Sequence, residues 1–147
     1  MGHLDASKRS MKDRIVMLDT RGTGPVTSRV EYLTVEDFPG NNGDGTFNLL
    51  GISFLTDRYT DTLRILLVND RPSLDPETNE RLDSAKVGAN STIEHFITTA
   101  GTLSMQYVRT HSHPLIKAPN AVAWVSDHSF LLTNHKSDKV GFVSLFP

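Results

Sequence analysis

There is no cysteine in the sequence, so no disulfide can staple the fold and no thiolate is on hand as nucleophile or metal ligand. Long apolar runs are missing too: the longest, such as Ile65 to Val68, are far too short to span a bilayer. Met1 to Ser10 hold no apolar stretch of the kind a signal peptide needs, and the default expectation is a cytoplasmic protein. Excess positive charge is absent. A formal net charge of −2 and a pI of about 6.3 argue against nucleic acid or an anionic membrane as partner, since both favour a basic face. Three enzyme signatures are also absent, the G-x-S-x-G elbow, the phosphate-binding glycine loop and H-E-x-x-H. No segment carries apolar residues at helical spacing over ten or more positions.

What the chain does contain is β pattern. Its 147 residues suit one domain, and 37% hydrophobic against 22% charged residues is the balance of a folded chain. Arg14 to Leu18 and Arg29 to Leu33 read as short strands, followed by the turn-rich Pro39 to Gly45. Then come Leu49 to Leu55, Thr62 to Asn69, Ser91 to Thr98 and Thr102 to Arg109, rich in Val, Ile, Leu, Thr and aromatics. Thr99-Ala100-Gly101 suits a hairpin turn. Ala121 to Val125, Ser129 to Thr133 and Val140 to Phe146 form a further series, and Asp70 to Asn90 reads as a long solvated loop. Strands in groups of four are the signature of propeller blades, although a sandwich would use the same runs.

Few residues invite chemistry by pattern. Asn41 to Gly45 resembles part of an EF-hand loop, but its register puts Gly40 at the first ligand position and Gly51 at the bidentate glutamate, so it reads as a turn. His111-Ser112-His113 would set two imidazoles on one side of an extended segment, with no further ligand at suitable spacing, and a solvated loop is the plainer reading. Asp127-His128-Ser129 suggests a triad, yet a hairpin turn is expected there. Asn90-Ser91-Thr92 is a formal glycosylation sequon. Asn120, at a strand entrance after Pro119, either offers an amide oxygen to a hard cation or satisfies its own turn backbone.

Five segments in order resemble landmarks of the paraoxonase/arylesterase family. They are Phe47-Asn48-Leu49-Leu50-Gly51-Ile52-Ser53, Leu66-Leu67-Val68-Asn69, Ser91-Thr92-Ile93-Glu94-His95-Phe96, Pro119-Asn120-Ala121-Val122-Ala123 and Leu132-Thr133-Asn134; Gly2 to Gly24 also resembles segments of fungal members. The resemblance implies an all-β fold, part of a six-bladed calcium-dependent propeller related to the gluconolactonase type, with about two to three four-stranded antiparallel blades. It implies one domain over 1–147, with preceding strands and turns at 1–46, a blade at 47–110 and an incomplete next blade at 119–147. It implies hydrolysis of lactones and aryl esters with calcium as cofactor, polarising the carbonyl for attack by bound water.

The family's site residues carry over unevenly. Its proposed base, a histidine, falls at Leu50, which cannot move a proton and is expected to pack among apolar neighbours. Its partner histidine falls at Asp70. Asn120 matches a ligand of the catalytic calcium, and Ile52 matches a residue whose backbone carbonyl binds the structural calcium. Ala121 stands where an aspartate ligand is usual, and His135-Lys136 where Asp-His is usual. The expectation is therefore a truncated relative with impaired activity and weak or lost calcium binding. The alternative is a noncatalytic propeller fragment or interaction module that self-associates through exposed blade edges.

Overall fold

The β-branched and aromatic runs become strands, and what decides how each is buried is which of its faces finds a cover. The structure is a computed structural model and describes residues 11–40, 45–57 and 59–135. Strands β1 (Val16–Leu18) and β2 (Val30–Tyr32) pair as a small antiparallel ribbon, where the Arg14 guanidinium lies 3.6 Å from the centre of the Tyr32 ring. The main sheet holds β3 (Thr34–Glu36), β4 (Leu49–Thr56), β5 (Thr62–Pro72), β6 (Ala89–Thr99) and β7 (Ser104–His111), in the order β3-β7-β6-β5-β4. A separate hairpin of β8 (Pro119–Ser126) and β9 (Ser129–Asn134) lies against it. Four strands, β4 to β7, run as one consecutive antiparallel meander, the all-β arrangement expected from the sequence. The strand expected at Val140 to Phe146 and most of the Asn41 to Gly45 turn lie outside the described residues.

Two expectations change. β3 extends the meander to five strands by pairing in parallel with β7, Thr34 opposite Ser104. Three residues are too few to show an alternation that could announce it. The loop expected from Asp70 to Asn90 is shorter, because β5 runs on to Pro72 and β6 begins at Ala89, with Asp70 opposite Ser91. Asp70 and Arg71 are buried in the ladder rather than solvated. Within the remaining loop, Leu74 bridges Arg81 and a short helix α1 (Ser84–Val87) is capped by the Asp83 side chain, which accepts from the Ala85 amide at 3.0 Å.

The central strands are covered on both faces, which is why Ile65-Leu66-Leu67-Val68 reads as an unbroken apolar run rather than an alternating one. On the first face Ile65, Leu67, Phe96 and Met105 pack with Phe38 and Phe47 from the preceding segment. Phe38 and Phe47 stack at 4.5 Å, and Phe96 meets Phe47 edge-on at 5.9 Å. On the second face Leu66, Val68 and Ile93 pack with Ile116 and with Val122 of the hairpin. Complete burial of such side chains contributes about 1.5–3 kcal/mol each.

Gly51 decides how close the hairpin comes. A Cβ placed there would sit 2.8 Å from the Asn120 carbonyl oxygen and 3.1 Å from Val68 Cγ2. Only a glycine lets the backbone of β8 pass this near to β4. Two residues on, Ser53 Oγ accepts from the Trp124 amide at 3.2 Å and fixes the crossing.

Candidate functional site

Strand β6 carries opposite chemistries on its two faces, because alternate residues point to opposite sides. On the first face Glu94 is fully buried and well supplied with donors. Its carboxylate accepts from Thr92 Oγ1 at 2.6 Å, from Asn69 Nδ2 at 3.3 Å and from Thr110 Oγ1 at 2.5 Å. Tyr107 and Thr110 share a hydroxyl contact at 2.9 Å, and Asn69 Oδ1 in turn accepts from the Asn48 amide at 3.0 Å. This satisfied network ties β5, β6 and β7 to the start of β4.

On the second face His95 is only 2% exposed, and neither ring nitrogen has a hydrogen-bond partner among the described residues. Its ring lies 6.1 Å from that of His111 and 5.1 Å from Trp124, which it meets edge-on. His111 in turn meets Phe130 edge-on at 5.1 Å. Burial, with His111, Arg109 and Arg64 adding positive charge, pushes the His95 pKa down to about 4. Burial, and then Arg109, lowers His111 as well. Both imidazoles are therefore held neutral at pH 7. His111 Nε2 and Trp124 Nε1 likewise lack partners among the described residues.

The residues singled out from sequence are dispersed. Leu50 lies on the edge strand β4 and is 55% exposed, which corrects the expectation that it packs among apolar neighbours. The physical reason is its place on the outermost strand of the sheet. Asp70 is buried, its carboxylate accepting from Ser91 Oγ at 2.5 Å while its amide donates to the Asn48 carbonyl at 2.7 Å. Asn120 is exposed, and its Oδ1 accepts from Thr133 Oγ1 at 2.7 Å. Ile52 stands on β4 opposite Leu67 with its side chain outward. Asn120 and Ile52 are nonetheless on neighbouring strands, joined across Gly51.

Neither short histidine pattern assembles a site. His111 enters the buried cluster, whereas His113 is exposed and its Nδ1 accepts from the Leu115 amide at 3.1 Å. Asp127-His128 forms the exposed β8–β9 turn, where Ser129 Oγ meets Ser126 Oγ at 2.8 Å instead of the imidazole. Ser91 is likewise bound to Asp70 rather than to an imidazole.

A hard cation asks for six to eight oxygen ligands. Asn120 Oδ1 is already engaged by Thr133, Ala121 brings no side-chain oxygen, and no group of three or more His, Asp or Glu gathers among the described residues. Among the described residues this donor set does not fit calcium.

Sequence reasoning passed over Glu94 and His95. The usable signal was Ser91 to Phe96, where both parities are expected inside a strand covered on two faces, so that Glu94 and His95 each needed an account. Among the described residues no helix is long and apolar enough to cross a membrane. No family model matches this chain, and no curated protein matches it.

Proposed function

We propose that this chain is a noncatalytic β-sheet module that assembles through the edge strand β4, with a second copy of itself as partner. The observation that carries this reading is the exposure of Leu50, Ile52 and Phe54, at 55%, 45% and 54%, on the outermost strand. Ile52 and Phe54 share a face, being paired with Leu67 and Ile65, but the cover from Phe38 and Phe47 reaches only Leu49 at the start of β4. Leu49 to Thr56 holds neither charge nor proline, the devices that normally blunt an edge. Antiparallel pairing of two copies centred on Ile52 sets Leu50 of one beside Phe54 of the other, and no charges meet. Sedimentation velocity across a concentration series tests the reading. Dimer is expected at tens of micromolar, and Phe54→Lys is expected to give monomer with the β signal retained. An unmodified chain that stays monomeric throughout the series would sink it.

A second reading is a paraoxonase/arylesterase-like ester or lactone hydrolase with impaired activity, a diverged part of a propeller. It is supported by the closeness of Asn120, which the resemblance matches to a calcium ligand, to Gly51, the neighbour of Ile52. Little hydrolysis of phenyl acetate or a γ-lactone is expected in millimolar calcium, because Leu50 offers no base, and general-base help is worth about 10²–10⁴-fold. Leu50→His, alone or with Ala121→Asp, is expected to stay inactive. By calorimetry calcium should bind more weakly than about 10⁻⁴ M. Robust calcium-dependent turnover by the unmodified chain would overturn the impaired-enzyme reading, and the noncatalytic one with it.

A further inference from the structure

The contact between the β8–β9 hairpin and the sheet contains two imidazoles where an apolar interface would ordinarily use aliphatic residues. His95 comes from β6 and His111 from β7, while Trp124 of β8 and Phe130 of β9 close over them. The charged groups acting on His95 are all positive: Arg64 on β5, and Arg109 and His111 on β7. β8 faces it with Trp124, β9 faces His111 with Phe130, and β4 contributes Ser53, bonded to the Trp124 amide. Asp70, the carboxylate on this side of β5, lies four residues beyond Leu66, which is opposite His95; that is roughly 13 Å along the strand, and it is held by Ser91. Glu94 stands on the other face with its own donors. Among the described residues a proton arriving at His95 or His111 therefore meets no counter-charge in the contact, only guanidinium charge and aromatic rings.

We propose that the β8–β9 hairpin is a proton-released latch: when His95 and His111 become charged, the hairpin leaves the second face of the sheet while the β4–β7 meander persists. The meander keeps its first-face core of Ile65, Leu67, Phe96, Met105, Phe38 and Phe47, none of which involves the hairpin. Undocking uncovers Leu66, Val68 and Ile93, an apolar surface available only at acidic pH. The inference is independent of the edge-strand reading, since it concerns the other side of the sheet.

Trp124 is the sole tryptophan, and it sits against His95, so its emission reports the contact directly. The experiment follows Trp124 emission, far-UV circular dichroism and amide hydrogen exchange of the full chain between pH 7.5 and pH 5, at a concentration where it is monomeric. With His95 near 4 when docked and 6.5 when freed to water, the undocking equilibrium should rise about 30-fold at pH 5. Expected are a red shift of the emission and a matching loss of protection in β8–β9, corrected for intrinsic exchange, with β5–β6 amides still protected. His95→Leu should flatten both responses. The proposal is overturned if emission and exchange do not change, if β5–β6 loses protection in step with β8–β9, or if His95→Leu titrates like the unmodified chain. Should that variant not fold, the comparison of β8–β9 with β5–β6 amides in the unmodified chain decides alone.

Discussion

Glu94 and His95 are neighbours in sequence with opposite fates. Glu94 is surrounded by donors from Asn69, Thr92 and Thr110, so truncating it leaves buried polar groups without an acceptor. Each such group costs about 1–3 kcal/mol, and Glu94→Ala is expected to lose roughly 3 kcal/mol or more of stability in urea unfolding, with Glu94→Gln less harmful. His95 works the other way. Its folded pKa lies below its unfolded value, so between about pH 6.5 and 4 the unfolded chain binds the proton that the folded chain refuses. Stability from this residue is complete above about pH 6.5 and falls as pH drops toward 4, by about 3 kcal/mol in all. Urea midpoints from pH 7.5 to 4.5 should show the decline, and His95→Leu should remove most of it. The hydrogen-bonded carboxyls Asp19, Asp57 and Asp75, each held below the ordinary carboxylate range by backbone amide donors, lose their contribution only at lower pH.

Among the elements, the β8–β9 hairpin is the one whose placement hangs on a single position. Its own sequence makes it a hairpin, with Trp124 opposite Phe130 and Ser126 opposite Ser129. Where it lies is set by Gly51, because the Asn120 carbonyl and Ala121 Cα occupy the space a side chain would need. Both neighbours are backbone and cannot swing aside, so Gly51→Ala is expected to cost about 1–3 kcal/mol. The loss should appear first as a red-shifted Trp124 emission at neutral pH, while β5 and β6 amides stay protected. Unchanged emission together with an unchanged urea midpoint would show that β8 has room to shift. The strand series Leu49 to Arg109 was readable because each run alternates or is continuously apolar and ends at turn residues. β3 was not, since its parallel pairing with β7 is made across a distant stretch of chain.

At the scale of the whole molecule, one sheet is covered on both faces in its middle, whereas its β4 margin is covered by β8 on the second face and leaves Ile52 and Phe54 exposed on the first. The first face is closed by Phe38 and Phe47, the second by the hairpin, and the apolar residues Ile52 and Phe54 fall outside both covers. An edge of this kind is a template for another strand. Besides Phe54→Lys, Ile52→Lys places two like charges directly opposite each other in a self-paired register. It should therefore weaken self-association more than a lysine at an exposed position away from the edge, such as Tyr59→Lys, when the three chains are compared by sedimentation.

Sequence alone determined that the chain is all-β, that Leu49 to Arg109 supplies four consecutive strands and that Ala121 to Thr133 begins another pair. These follow from local alternation, β-branching and turn residues, and the neighbours along the chain carry that information. Which side of a strand is covered, and by what, is not local. Leu50 turned out exposed because β4 is outermost, and Asp70 buried because β5 runs two residues past Asp70 before its loop. The meeting of His95, His111 and Trp124 depends on the bulge between His95 and Phe96 and on the approach that Gly51 permits. Only the packing of the hairpin on the sheet brings Trp124 onto the two imidazoles, since burial and the pKa shifts that come with it belong to the assembled layers and not to any one segment.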